Sequence, residues 1–248
     1  MDISYSLLIF LVGLLAGFIN TVGAGGSMLV LPILILSGLP SDLANGTNRV
    51  AIFLQTIVGV AGFKRQGHWA PKRAALLGSI ALLGAIPGAF LAIRATDQWF
   101  ERILALVILL MGSYLLFQKK LTGREGVGLP SWKNIRTSAP FFLIIGVYGG
   151  FVQAGVGFLL LATLTGVTGF HLARANSVKV FVVLIYTIAA LAVFLWHGQV
   201  DWVKGCTLAA GNMIGGWVGS QWASKVRSDH VRYLIAGMAI LLAVRLLI

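Results

Sequence analysis

Asn20-Thr21-Val22-Gly23-Ala24-Gly25-Gly26-Ser27 interrupts a long apolar run, and a second interruption, Gln153-Ala154-Gly155-Val156-Gly157, follows about 130 residues later. Glycine and amide residues have no packing reason to sit between greasy segments. They make sense where backbone must leave the helix and face a ligand inside a membrane. A pair of such breaks, one in each half of the chain, points to a molecule built from repeats around a central site.

Around the breaks the composition is that of a membrane protein. The 248 residues are 58% hydrophobic and only 10% charged, with a mean hydropathy of +0.92. A soluble domain carries roughly a quarter charged residues. Apolar segments recur from end to end with no polar domain between them, which predicts an all-α, polytopic membrane protein. The start, with Asp2 and no Lys or Arg before Tyr5, does not read as a signal peptide. The lone cysteine, Cys206, has no partner for an intrachain disulfide and reads as packing. Nineteen Lys and Arg against seven Asp and Glu give a net charge of +12. They cluster in short loops between spans, which is the positive-inside pattern and no signature of nucleic-acid binding.

The apolar segments read as 5–19 and 28–38 around the first break, then 48–63, 74–94 and 100–117. A polar linker, 118–137, holds Lys119, Lys120, Arg124, Lys133 and Arg136. After it come 139–152 and 158–168 around the second break, then 178–196, 203–222 and 231–248. The reading is a single transmembrane domain over 1–248, with a first repeat at 1–117, a cytoplasmic linker and a second repeat at 138–248. Phe18-Ile19-Asn20 aligns with Phe151-Val152-Gln153, Gly67-His68 with Gly198-Gln199, and Gly84 and Gly88 with Gly211 and Gly215.

Loop charge sets the orientation. Lys64, Arg65, Lys72 and Arg73 mark 64–73 as cytoplasmic, whereas its counterpart 197–204 holds only Lys204 and Asp201. Arg94 and Arg102 are balanced by Asp97 and Glu101, whereas the matching loop 223–232 carries Lys225, Arg227 and Arg232. The sign bias swaps sides, which predicts inverted repeats. Inversion needs an odd number of crossings per half, so each broken pair is expected as a re-entrant hairpin or glycine-broken helix, with roughly eight transmembrane segments in all. Segments 5–19 and 28–38 give only about 22 Å and 16 Å of helix, short of a core roughly 30 Å thick.

No Asp or Glu lies inside an apolar segment, which argues against a metal-ion carrier and removes the simplest proton relay. His68, His171, His197 and His230 sit at segment boundaries without metal-ligand spacing, and no cofactor is expected. The polar groups left are amides, hydroxyls and backbone. Asn45-Gly46-Thr47-Asn48-Arg49 and Arg174-Ala175-Asn176-Ser177-Val178-Lys179 open two long segments, with Thr47 and Asn176 read as helix N-caps. Arg49 reads as a cation snorkelling to the headgroups. Further helix starts are expected after Gly26 and Gly157. Helix N-termini converging near a pseudo-two-fold axis would hold an anion without a buried salt bridge.

The candidate substrate-binding residues are therefore Asn20, Gly23, Gly25 and Gly26 at the first break and Gln153, Gly155 and Gly157 at the second. Thr47, Asn48, Asn176 and Ser177 add polar contacts, and Lys179 adds a charge. The remaining glycines, such as 13, 17, 146 and 150, read as helix-packing contacts. An intramembrane enzyme would need a nucleophile–base pair or metal set at depth, and the sequence offers neither. A purely organising membrane subunit would leave the paired breaks without a use.

The chain also resembles the sulfite exporter TauE/SafE family over about 7–247. The resemblance rests on Gly23-Ala24-Gly25-Gly26 followed by Pro32, on Ala44-Asn45-Gly46-Thr47-Asn48, and on Arg174-Ala175-Asn176-Ser177-Val178-Lys179, with Gly198 and Trp202 continuing the pattern. It implies export of small sulfur-containing anions, sulfite or organosulfonates, through the bacterial inner membrane by a secondary carrier with repeated halves. Gly155-Val156-Gly157-Phe158 has fewer glycines than the first signature, so the two breaks are expected to be unequal. Another small anion, a carboxylate or halide, is the alternative cargo. The partners expected are that anion, the lipid bilayer and, as one arrangement, further copies in a homo-oligomer.

Overall fold

Within lipid every backbone N–H and C=O must be satisfied inside the protein, so apolar runs of membrane length resolve into helices. The computed structural model describes residues 3–67, 70–117, 129–222 and 229–247. His68, Trp69, the linker cations Lys119, Lys120 and Arg124, and the loop cations Lys225 and Arg227 lie outside the described residues.

The elements are α1 (Ile3–Val22), α2 (Ser27–Leu36), α3 (Ser41–Arg65), α4 (Pro71–Arg94), α5 (Asp97–Phe117), α6 (Trp132–Thr137), α7 (Ala139–Phe151), α8 (Val156–Ala162), α9 (Leu172–Trp196), α10 (Trp202–Trp222) and α11 (Asp229–Leu247). A π turn over Thr163–Val167 prolongs α8, and no strand occurs among the described residues. The protein is an all-α, polytopic membrane protein. Ser4–Val22, Pro71–Arg94 and Leu172–Trp196 are long and apolar enough to cross a bilayer by themselves. The 25 residues of α3 and the 21 of α5 and α10 also reach about 30 Å or more. The ten residues of α2 cover only about 15 Å, half the core.

Three boundaries differ from the sequence expectation. Helix α1 runs on to Val22, so it is a full-length span and not a short piece. After it the chain doubles back, and Gly26 lies against the backbone of Ala16, which a side chain at that position would displace. Helix α3 begins at Ser41, seven residues early, because Pro40 (φ −51°) presets the entry and the Ser41 N–H is bound by Asp97 Oδ1 at 2.8 Å. Helix α9 begins at Leu172. Thr47 and Asn176 are therefore inside helices and cap neither. Polar residues that looked like loop stay helical because their side chains find partners on facing helices.

The packing is reciprocal between the halves. Helix α1 lies along α10, and α7 lies along α4; α3 also contacts α10, α9 contacts α4, and α5 pairs with α11. Both main seams are glycine on backbone. Gly13 and Gly17 face Leu208 and Asn212, while Gly211 and Gly215 face Phe10, Leu14 and Phe18. In the other seam Gly146 and Gly150 face Ala81 and Ala85, and Gly84 and Gly88 face Leu143, Val147 and Phe151. In each seam the paired positions advance together along both chains, so the helices run parallel. These are the small-residue approaches that let membrane helices pack closely.

Candidate functional site

The two breaks and the two middle helices α3 and α9 enclose a cavity of about 30 Å³, room for a water or two. The first break lines it with Asn20, Ala24, Gly25 and Ser27, and the second with Gln153, Gly155, Val156 and Gly157. Helix α3 adds Ile52, Gln55 and Thr56; α9 adds Lys179, Val180 and Val183. Lys179 is the single charge in this lining, and no carboxylate faces it.

Each break is built differently. In the first, Asn20 still belongs to α1, and its Oδ1 accepts from the Gly26 N–H at 2.8 Å, closing the turn. Gly25 takes φ +102°, a conformation side chains disfavour, and a methyl there would meet Phe158. Gly26 precedes Ser27 at the start of α2, as expected. In the second break α7 stops at Phe151, Gln153 itself takes a left-handed φ of +66°, and Gly155 (φ +71°) starts α8, two residues earlier than expected. The breaks are unequal.

Polar side chains knit the lining. Asn20 Nδ2 donates to Gln55 Oε1 at 3.3 Å, and Gln55 Nε2 donates to Thr21 Oγ1 at 3.1 Å. Lys179 Nζ donates to Asn20 O at 2.9 Å, to Asn176 Oδ1 at 3.0 Å and to Gly23 O. Asn176 Nδ2 donates to Val22 O at 3.3 Å. On the other side Asn45 Nδ2 donates to Phe151 O at 2.7 Å.

Arg49 does not snorkel. It is fully buried, its Nη1 donates to Gly149 O at 3.1 Å and Gln153 Oε1 at 3.0 Å, and its Nη2 donates to Gly150 O at 2.5 Å. Its guanidinium lies 4.7 Å from the Phe194 ring centroid. The reason is energetic. Its two terminal nitrogens are satisfied by two carbonyls left free at the end of α7 and by the Gln153 side chain, which offsets part of the cost of burial, while Nε is left without a partner among the described residues.

Of the expected site residues, Asn20, Gly25, Gln153, Gly155, Gly157 and Lys179 come together at the cavity. Gly23 and Asn176 stand behind it as partners of Lys179, and Gly26 closes the first turn. Thr47 is elsewhere, its Oγ1 accepting from the Asp201 N–H at 2.9 Å. Asn48 and Ser177 are buried outside the lining, their side-chain polar atoms unpaired among the described residues. Gln55 and Thr56, which the sequence reading missed, face the cavity. Buried polar side chains within the apolar segment 48–63 were the signal that could have found them.

A multi-pass helical protein that closes an amide-rich, singly cationic cavity between two broken helices has the build of a solute transporter. A family model described as sulfite exporter TauE/SafE matches residues 9–246, and the chain belongs to that family. It is 28% identical to a probable membrane transporter protein of Haemophilus influenzae, over 99% of this chain and 96% of that one. It is also 26% identical to the probable membrane transporter protein ORF9 of a Sinorhizobium species, over 99% and 94%. With the probable membrane transporter protein YfcA of Escherichia coli K12 it shares 25% identity over 96% and 88%. The protein is a membrane transporter and not an enzyme.

Proposed function

We propose that the protein is a secondary carrier that exports small sulfur-containing anions, sulfite or organosulfonates, across the bacterial inner membrane by alternating access at this cavity. The observation that carries the reading is the lining itself: one ammonium, several amides and hydroxyls, and no carboxylate. An anion entering it meets donors and no negative charge to repel it. The start of α2 turns the positive end of its helix dipole toward the first break. Sulfonate and sulfite oxygens accept several such bonds at once, while neutral donors still allow release.

The cavity is too small for a sulfonate as it stands, so cargo entry requires its walls to move apart. The reciprocal, parallel seams support two inverted repeats, 1–117 and 138–248, joined by a cytoplasmic linker at 118–137. With no carboxylate at the site, export of a negative charge would be driven by the negative-inside potential.

The test is uptake of radiolabelled sulfite into proteoliposomes under an imposed potential. Saturable uptake that taurine blocks and acetate or chloride does not is the expected result. Block by acetate or chloride instead would move the cargo to a carboxylate or halide. Asn20→Ala and Gln55→Ala are expected to lower uptake at least about tenfold, equivalent to about 1.4 kcal/mol, in protein that remains folded. Unchanged uptake in both variants would remove the cavity from the transport path.

A further inference from the structure

The two cations buried among these helices are arranged as a reciprocal pair. Arg49 on α3 reaches across to α7, and Lys179 on α9 reaches across to α1. Arg49 binds the carbonyls of Gly149 and Gly150 together with Gln153. Lys179 binds the carbonyls of Asn20 and Gly23 together with Asn176. Both sets of carbonyls belong to helix C-terminal ends, where acceptors are left over and the helix dipole is negative. Each half thus supplies the cation that closes the broken helix of the other.

The two clamps differ in three respects. Lys179 lines the cavity and Arg49 does not. An ammonium on a four-carbon stem can swing between acceptors, whereas a guanidinium fork under an aromatic ring is held in one plane. The breaks they serve also differ. Besides its cation each has two side-chain ties: the second has the Tyr148 hydroxyl donating to Ala154 O and Asn45 donating to Phe151 O, and the first has Asn20 accepting from the Gly26 N–H and Asn176 donating to Val22 O. The first relies on Asn20, Asn176 and Lys179, and it holds three glycines, Gly23, Gly25 and Gly26, that can re-orient without steric cost.

We propose that Lys179 is an exchangeable clamp: an anion in the cavity draws its ammonium off the carbonyls of Asn20 and Gly23 and so frees the C-terminal end of α1, while Arg49 holds α7 throughout. All three ammonium protons are already committed, two to the carbonyls of Asn20 and Gly23 at the end of α1 and one to Asn176 on its own helix, so Lys179 can bind cargo only by giving up one of these bonds. Cargo binding and release of the first break are then one event. Lys179 both touches cargo and triggers the change; Arg49 is a positioning residue. The inference rests on the anion-carrier reading and deepens it.

Hydrogen exchange on the full chain in lipid nanodiscs tests it, with sodium sulfite as the probe. Without sulfite, Lys179→Gln is expected to speed exchange over 20–26 about tenfold or more and to leave 149–155 unchanged; Lys179→Arg, which keeps donors, restores protection. Arg49→Lys is expected to speed exchange over 149–155 only. Adding sulfite to the unmodified protein is expected to speed exchange over 20–26, an effect kept in Arg49→Lys and lost in Lys179→Gln. Protection of 20–26 that survives Lys179→Gln would overturn the clamp. Sulfite that raises the Tm yet leaves 20–26 unchanged would overturn its exchangeable character. A Lys179→Gln effect with no sulfite-induced change in Tm would uphold the clamp and overturn sulfite as cargo.

Discussion

Gly25 and Gly38 both hold positive φ, +102° and +91°, yet their surroundings differ. Around Gly38 nothing lies within reach of an added methyl, whereas at Gly25 the methyl would collide with the Phe158 ring and press on Met28. Gly38→Ala is expected to cost about 1 kcal/mol from backbone strain alone. Gly25→Ala adds overpacking and is expected to cost about 1–3 kcal/mol more; thermal denaturation in detergent compares the two, and equal losses would refute the crowding argument. Gln153 keeps a similar left-handed conformation (φ +66°) although it carries a side chain, and its carboxamide oxygen, bound by Arg49, accounts for the choice over glycine. At the loop before α10, partial burial works to raise the Asp201 carboxyl, but hydrogen bonds from the Lys204 side chain and N–H, with its charge, hold it below the ordinary value of 3.8. A depressed carboxyl stabilises the fold above its unfolded value, and that contribution disappears as pH falls through the lowered one. Because the pair is reached by solvent the effect is small. The expected outcome is a modest acid-side decline in Tm that Asp201→Asn abolishes; an identical decline in the variant would assign it to other groups.

At the scale of elements, the glycine seams set how closely α1 approaches α10 and α7 approaches α4. A side chain at Gly146 would enter the backbone of Ala81, and one at Gly215 that of Leu14. Gly146→Leu and Gly215→Leu are each expected to destabilise by several kcal/mol, since backbone cannot yield as a side-chain tip does. Gly166→Leu, in open space on the π turn, is the control, and a comparable loss there would refute the seam argument. The seams were legible in the sequence because small residues at fixed spacing in an apolar helix have few other uses. So were the two breaks, where glycine and amide stand against an apolar background. The polar starts of α3 and α9 were not. Asn45, Thr47 and Asn176 read as loop and cap because their partners, Phe151 O, the Asp201 N–H and Val22 O, lie more than 100 residues away. Arg49 was misread for the same reason: a cation near a segment end looks like an interfacial anchor until the carbonyls of a remote helix end are in view. Local pattern reveals where a chain breaks, and only tertiary pairing reveals what fills the break.

At the scale of the whole molecule, apolar burial divides into two clusters. The smaller joins Ile9 and Ala16 of α1, Val30 and Leu34 of α2, Ala44 and Ala51 of α3, and Leu208 and Ala209 of α10. The larger is centred on α4, α5, α7, α8, α9 and α11. Helix α10 is therefore packed with the beginning of the chain, and α4 with its end. Covalent order and mechanical order do not coincide. If the clusters shift against each other as solid pieces, the strain falls on the connections that cross between them, among them the turn after α3 and the turn after α9. Each contains a left-handed glycine with free space around it, Gly67 (φ +74°) and Gly198 (φ +71°). Spin labels on α9 and α10, neighbours in sequence, are expected to change separation with cargo. Labels on α1 and α10, nearly the full chain apart, are expected to keep theirs, and the opposite pattern would show that the halves, not the clusters, are the moving parts. These two turns, whose glycines have open space around them, would then be the joints of the machine, and stiffening either with proline would slow every turnover while leaving affinity intact.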